Sequence, residues 1–248
     1  MKHNPRLLFA VAALSLAALA CNAIAGGGVP TVPAFDIPTV EIPTVIVELP
    51  TPADEPQGNP GDVLFQDDFT PGRGEWGTGS DENRTVDYVN DQLHMNITAE
   101  NFFVWTTPND NEYSNVHMEV TVLNNSTDPT AAFGIMCHQQ FMDESFYYFA
   151  VTSAGEYAIV RAALAQDDVF LTNGGTWGES DLIASNAASY RIGADCGNGT
   201  LTLYVDGQQI DSVSDSTYTS GRFAVFAWSG DAVGTDVSFD DFLMTQLP

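Results

Sequence analysis

YRIGADC (190–196), GNGTLTLYVDGQQIDSVSD (197–215), TYTSGRFAVFAW (217–228) and DVSFDDF (236–242) are successive runs in which apolar and polar residues alternate. Gly, Asn, Asp and Ser punctuate them. A period of two broken by turn residues predicts antiparallel strands with one buried face. Asp206-Gly207 is a type I′ turn dipeptide, since both central positions need positive φ, so LYVDGQQI is a hairpin with Leu201, Leu203 and Val205 toward the core. RFAVFAW departs from strict alternation. Phe223, Val225 and Ala227 share one face, and Arg222, Ala224, Phe226 and Trp228 share the other. A strand that is apolar on both faces, apart from one Arg, is covered on one side and lines a groove on the other.

The same pattern extends upstream. It predicts strands near 63–69, 84–89, 92–98, 101–107, 113–123, 131–140, 145–152, 156–163 and 167–172, with a hairpin across Asn90-Asp91. Downstream the strands fall near 189–196, 200–206, 208–214, 221–228 and 235–245. No segment of ten or more residues carries a 3.6-residue apolar period. The expectation is an all-β domain over 62–248, an antiparallel two-sheet sandwich of jelly-roll type.

The N-terminus reads as a targeting segment. Lys2, His3 and Arg6 precede an apolar run, Leu7 to Ala20, that is shorter than the roughly 20 residues of a membrane span. Two processing sites compete. Ala18-Leu19-Ala20-Cys21 resembles a lipoprotein box, which makes 1–21 the signal peptide and Cys21 the lipidated residue. Ala23-Ile24-Ala25 instead suits an ordinary signal peptidase and a soluble secreted product. Residues 22–61 are Pro-rich and repeat IPTV, which favours an extended polyproline stalk reaching on the order of 100 Å. A Pro-rich ligand for another protein is the alternative reading. The expected location is the cell envelope, exported, lipid-anchored and surface-exposed, or else free in the medium.

Cys137 and Cys196 remain as an even pair in an oxidising compartment, where a disulfide is expected. Phe133, Ile135 and Cys137 share one apolar strand face, as do Ile192, Ala194 and Cys196. The two sulfurs thus face a common core, as a disulfide or as buried free thiols.

The formal charge of the whole chain is −26. Without the signal peptide, five Arg and no Lys stand against 33 acidic residues, a charge near −28. Such a surface repels nucleic acid and anionic lipid, so membrane contact is expected only through the anchor. It also attracts divalent cations.

LFQDDF (64–69), Phe146–Phe149 with Ser153-Ala154-Gly155-Glu156-Tyr157, LTLYVDG (201–207), GRFAV (221–225) and VSFDDF (237–242) together resemble the concanavalin A-like lectin/glucanase sandwich. Within that group the chain is similar to laminin-G-like domains and to the 3-keto-disaccharide hydrolase family. The resemblance covers nearly all of 62–248 and rests on turns and core alternation, which speak for architecture more than for activity. It implies that the first and last strands lie side by side.

Catalysis has little support in the residues. The Glu-x-Asp-x-Glu strand of the glucanases is missing. Glu119 lies in VHMEVTV without spaced partners, and Asp143-Glu144 lies in a turn. His94, His117 and His138 have no partner at metal or triad spacing, and no Gly-x-Ser-x-Gly elbow occurs. Carbohydrate binding is the leading expectation, with Trp105, Tyr148, Trp177, Arg222 and Trp228 as candidate ligand residues. The bland alternative is that each fills the core or rim. No cofactor is required, although a structural calcium where the terminal strands meet would draw on Asp68 and Asp241, with Asp67 and Asp240 beside them. The reading is a surface-displayed module that binds carbohydrate or another extracellular ligand without catalysis. The alternatives are a glycoside-acting hydrolase and a protein-binding module.

Overall fold

Tight hairpins organise the chain. At Asn90-Asp91, Asn198-Gly199 and Asp206-Gly207, paired positive φ values (54° and 59°, 53° and 71°, 51° and 75°) meet the type I′ requirement. Each turn joins strands whose last paired residues have two residues between them: Val89↔Gln92, Gly197↔Thr200 and Val205↔Gln208. The computed structural model describes residues 59–72, 75–142 and 144–248. The expected signal peptide (1–21), the lipidation residue Cys21 and the linker as far as residue 58 lie outside the described residues.

The described residues form sixteen strands and no helix. They are β1 Val63–Asp67, β2 Gly79–Ser80, β3 Arg84–Val89, β4 Gln92–Ile97, β5 Phe103–Thr106, β6 Val116–Asn124, β7 Ala132–Gln139 and β8 Phe146–Thr152. There follow β9 Glu156–Ala162, β10 Val169–Phe170, β11 Gly178–Glu179, β12 Ser189–Gly197, β13 Thr200–Val205, β14 Gln208–Ser214, β15 Arg222–Trp228 and β16 Thr235–Gln246. The expected strands are all present, the one near 167–172 shortened to β10. The two-residue strands β2 and β11 were not anticipated, because two residues carry no periodicity.

The larger sheet has nine strands in the order β14-β13-β12-β6-β16-β4-β3-β2, with β1 also on β16. The smaller has seven, β10-β9-β8-β7-β15-β5, with β11 also on β9. All pairings are antiparallel. First and last strands do pair, with Asp67 opposite Phe242.

Alternation sends Val120, Val122, Ile192, Leu203 and Phe239 of the larger sheet inward against Phe133, Ile135, Phe149, Ile159 and Val225 of the smaller. All are fully buried. At one end Trp76 sits among Phe65, Phe69, Phe223 and Phe242, with ring centroids 6.2, 5.2, 5.9 and 5.6 Å away. A shift in register between Asp240 and Leu243, with Asp241 at φ 49°, lets Phe239 and Phe242 both turn inward although they are three positions apart. Asp67 is buried on the face it shares with Phe65. Its carboxylate accepts from the Phe69 N–H and the Trp76 indole N–H, both at 2.9 Å, so the buried charge is satisfied.

Cys137 on β7 and Cys196 on β12 form a disulfide. It ties the smaller sheet to the larger across the core, over a sequence separation of 59 residues. Closing a loop of that size stabilises by about 4 kcal/mol in the chain-entropy picture. The double variant Cys137→Ala, Cys196→Ala is expected to lose stability of that order in denaturant unfolding. A loss below about 1 kcal/mol would show that apolar packing alone holds the sheets together.

Candidate functional site

The smaller sheet is apolar on both faces. The residues that alternate with its core set point away from the larger sheet: Ala132, Gly134 and Met136 on β7, Tyr148 and Ala150 on β8, Ala158, Val160 and Ala162 on β9, and Ala224, Phe226 and Trp228 on β15. The register places Phe226, Gly134, Ala150 and Ala158 in one row across four strands. Small residues therefore floor the centre of this face. Gly134 is required there, because a Cβ would stand 1.9 Å from the Phe149 carbonyl oxygen and 3.2 Å from the Phe226 ring.

Aromatic rings rise around that floor. Phe103 of β5 stacks on Phe226 at 4.9 Å and 13° between planes. Trp177, from the loop before β11, lies nearly parallel to Trp228, at 6.3 Å and 15°. Phe170 of β10 approaches Trp177 at 5.9 Å. Together with Trp105, Phe146 and Tyr148 they line a trough of about 440 Å³. Its carboxylates among the described residues are Glu144 and Asp168. The Tyr148 hydroxyl donates to Asp168 Oδ2 at 2.8 Å. Burial and then the adjacent Asp168 charge push the Tyr148 phenol well above its usual range, so it stays a neutral donor.

Four of the five expected ligand residues, Trp105, Tyr148, Trp177 and Trp228, thus meet in one trough. Arg222 does not line it. The β7–β15 register slips between Arg222 and Ala224, where His138 adopts φ 50°. Beyond the slip, the Arg222 guanidinium donates to Asp110 Oδ1 at 2.8 Å and lies 4.9 Å from the centre of the Phe141 ring. Its charge is neutralised there and the side chain is buried. Sequence reading missed Phe103, Phe146 and Phe170. The apolar runs FFVW (102–105) and FYYF (146–149), each with aromatics on both faces, carried the signal.

Asp68 and Asp241, the expected calcium ligands, border a separate cavity of about 270 Å³ together with Arg191. Arg191 donates to the Asp241 carbonyl oxygen at 2.6 Å. Asp68 accepts from the Thr70 N–H at 3.1 Å, and Asp240 accepts from Gln92 at 3.2 Å. Among the described residues no group of three or more His, Cys, Asp or Glu side chains is placed to hold a metal ion.

The outer face of the larger sheet has the opposite character. The Tyr204 hydroxyl donates to Asp195 Oδ2 at 2.8 Å, and the other Asp195 oxygen lies 2.6 Å from His117 Nδ1. His117 Nε2 faces Glu119 Oε1 at 3.3 Å, and Glu119 Oε2 accepts from Arg191 at 3.2 Å. His117 therefore has carboxylate partners that its sequence spacing concealed, one of them 78 residues away. The hydrogen bond to Asp195 raises the His117 pKa above its ordinary value, and partial burial opposes it. Burial and then the Asp195 bond push the Tyr204 phenol up to about 12.

No protein-family profile matches the chain, and no curated protein is similar to it in sequence. Solved structures do resemble it. A carbohydrate-binding module of Bacillus subtilis, CBM66, superposes with a TM-score of 0.55 at 12% identity, covering 70% of this chain and 96% of that one. A Bacillus subtilis protein of unknown function with a galectin-like fold gives 0.57 at 10%, covering 75% and 97%. The laminarinase catalytic domain of Thermotoga maritima gives 0.52 at 11%, covering 76% and 100%. At these identities the likeness is one of fold. The domain is a concanavalin A-like jelly roll.

A histidine whose folded pKa is raised stabilises the fold fully below its unfolded value of about 6.5, and that contribution fades as pH rises through the folded value. Stability is therefore expected to decline as pH climbs past about 6.5. His117→Gln should flatten that part of the profile. An unchanged slope in the variant, measured by urea unfolding across the pH range, would assign the decline to other groups.

Proposed function

We propose that the domain binds carbohydrate in the aromatic trough and carries out no chemistry on it. The observation that carries this reading is the near-parallel pair Trp177 and Trp228 beside an open, small-residue floor. Sugar rings present apolar C–H faces that pack on aromatic rings, while their hydroxyls need only a few polar groups at the edge. Glu144 and Asp168 supply acceptors, and Tyr148 supplies a hydroxyl. A trough of about 440 Å³ suits a short stretch of oligosaccharide. The fold-level resemblance to a carbohydrate-binding module and to a laminarinase domain supports such a ligand, and the chemistry rests on the site.

The second reading is a glycoside-acting hydrolase, and Glu144 and Asp168 in the same trough are what favour it. They come from two loops rather than from one strand. Turnover of an oligosaccharide panel that is lost in Asp168→Asn would establish it. A protein ligand is the third.

The proposal extends to location. The charged start, apolar run and Cys21 support export and a lipid anchor, and residues 22–61 support a stalk that holds the module away from the envelope. The Cys137–Cys196 disulfide fits an oxidising compartment. The acidic surface supports a partner other than nucleic acid.

Glycan-array and calorimetric titrations of the intact protein test the proposal. Trp228→Ala or Trp177→Ala is expected to weaken the best glycan at least tenfold, about 1.4 kcal/mol. Calcium and chelator should give equal affinities. Unaltered affinity in both tryptophan variants would place binding elsewhere.

A further inference from the structure

The trough is acidic, and no cation among the described residues balances it. The described arginines are each engaged by a carboxylate: Arg84 by Asp81, Arg161 by Asp215, Arg191 by Glu119 and Arg222 by Asp110. None of the four lines the trough. The carboxylates that do, Glu144 and Asp168, have no cationic partner among the described residues. The whole chain adds a formal charge of −26 and thus a negative potential.

From this charge pattern we infer that the trough selects cationic amino sugars, oligomers of protonated glucosamine, over neutral and acidic glycans. The inference rests on the carbohydrate-binding reading above and narrows it. Three features act together. The indoles of Trp177 and Trp228 offer π faces, which attract an ammonium group as well as a sugar's C–H face. Asp168 has one oxygen occupied by Tyr148, which holds the carboxylate in place at the trough wall. Glu144 supplies a second negative charge on the lining. A uronic or sulfated sugar would bring a like charge against both and against the field of the whole protein. A neutral sugar would gain the stacking and the hydroxyl contacts without the charge pairing. Cation–π attraction and one exposed ion pair together account for about a tenfold preference.

Calorimetry on the intact protein, at a pH that keeps the sugar amine protonated, separates the alternatives. The probes are glucosamine, N-acetylglucosamine and glucose hexamers, with hexalysine as a cationic control without sugar rings. The expected result is about tenfold tighter binding of the glucosamine hexamer than of either neutral hexamer. The double variant Glu144→Gln, Asp168→Asn should weaken the glucosamine hexamer more than either neutral hexamer and shrink the preference to the part that cation–π attraction supplies. Trp228→Ala, and Trp177→Ala if the first variant unfolds, should weaken every sugar. Neutral hexamers that bind as tightly as the glucosamine hexamer would overturn the inference and leave the carbohydrate reading intact. Hexalysine binding as tightly as glucosamine, with tryptophan variants unaffected, would reduce the effect to surface charge and also overturn it. Failure of all three sugar hexamers to bind would overturn the inference, and a glycan array without signal would overturn the carbohydrate reading as well.

Discussion

A sheet with two apolar faces must be covered twice. The smaller sheet of this domain has that problem in its centre: β7, β8, β9 and β15 keep His138, Gln139, Thr152, Glu156, Arg161 and Arg222 to the strand ends. One cover is the larger sheet, whose inner residues interdigitate with Phe133, Ile135, Phe149 and Val225. The other is improvised from side chains. Phe103, Trp105, Phe146, Phe170, Trp177 and Trp228 fold over the alanine and glycine floor and leave a trough open. Apolar surface of that kind, contiguous and rimmed by carboxylates, is the usual mark of a binding site.

The two outer faces of the sandwich divide the work. The larger sheet presents Tyr204, Asp195, His117, Glu119 and Arg191, a network whose members satisfy one another. Such a face sits comfortably in water. The smaller sheet presents rings. The disulfide between β7 and β12 joins the two sheets through the core, and β7 also supplies Gly134 to the floor of the trough. The covalent link is thus built into the strand that carries the close approach of Phe149 and Phe226, which ties the stability of the core to the geometry of the site.

Much of this is legible in the sequence alone. The dipeptides Asn90-Asp91 and Asp206-Gly207 announced their turns, because few residues tolerate paired positive φ. RFAVFAW announced a strand with two apolar faces, and the Cys137 and Cys196 faces announced a shared core. Local chemistry dictates all of these. The failures come from longer range. Arg222 shares a strand face with Phe226 and Trp228 by alternation, but the register slip at His138 is a property of the strand pair and leaves no mark on β15 alone. Nothing in LFQDDF marks Asp67 as buried, and only Trp76, nine residues on, explains why it is. His117 looked unpartnered because Asp195 comes to it from another strand. The aromatic wall was half seen: tryptophans stand out in a sequence, whereas Phe103 and Phe146 differ from core phenylalanines only in which way their strands turn.

The claim at the centre is that the outer face of the smaller sheet, and no other surface, receives the ligand. The chain contains four tryptophans, and their indole N–H resonances report on it directly. Trp105, Trp177 and Trp228 border the trough, while Trp76 is locked in the core with its N–H on Asp67. A two-dimensional NMR titration with a bound oligosaccharide should shift the first three and leave Trp76 in place. Saturable binding that moves none of the three would contradict the account.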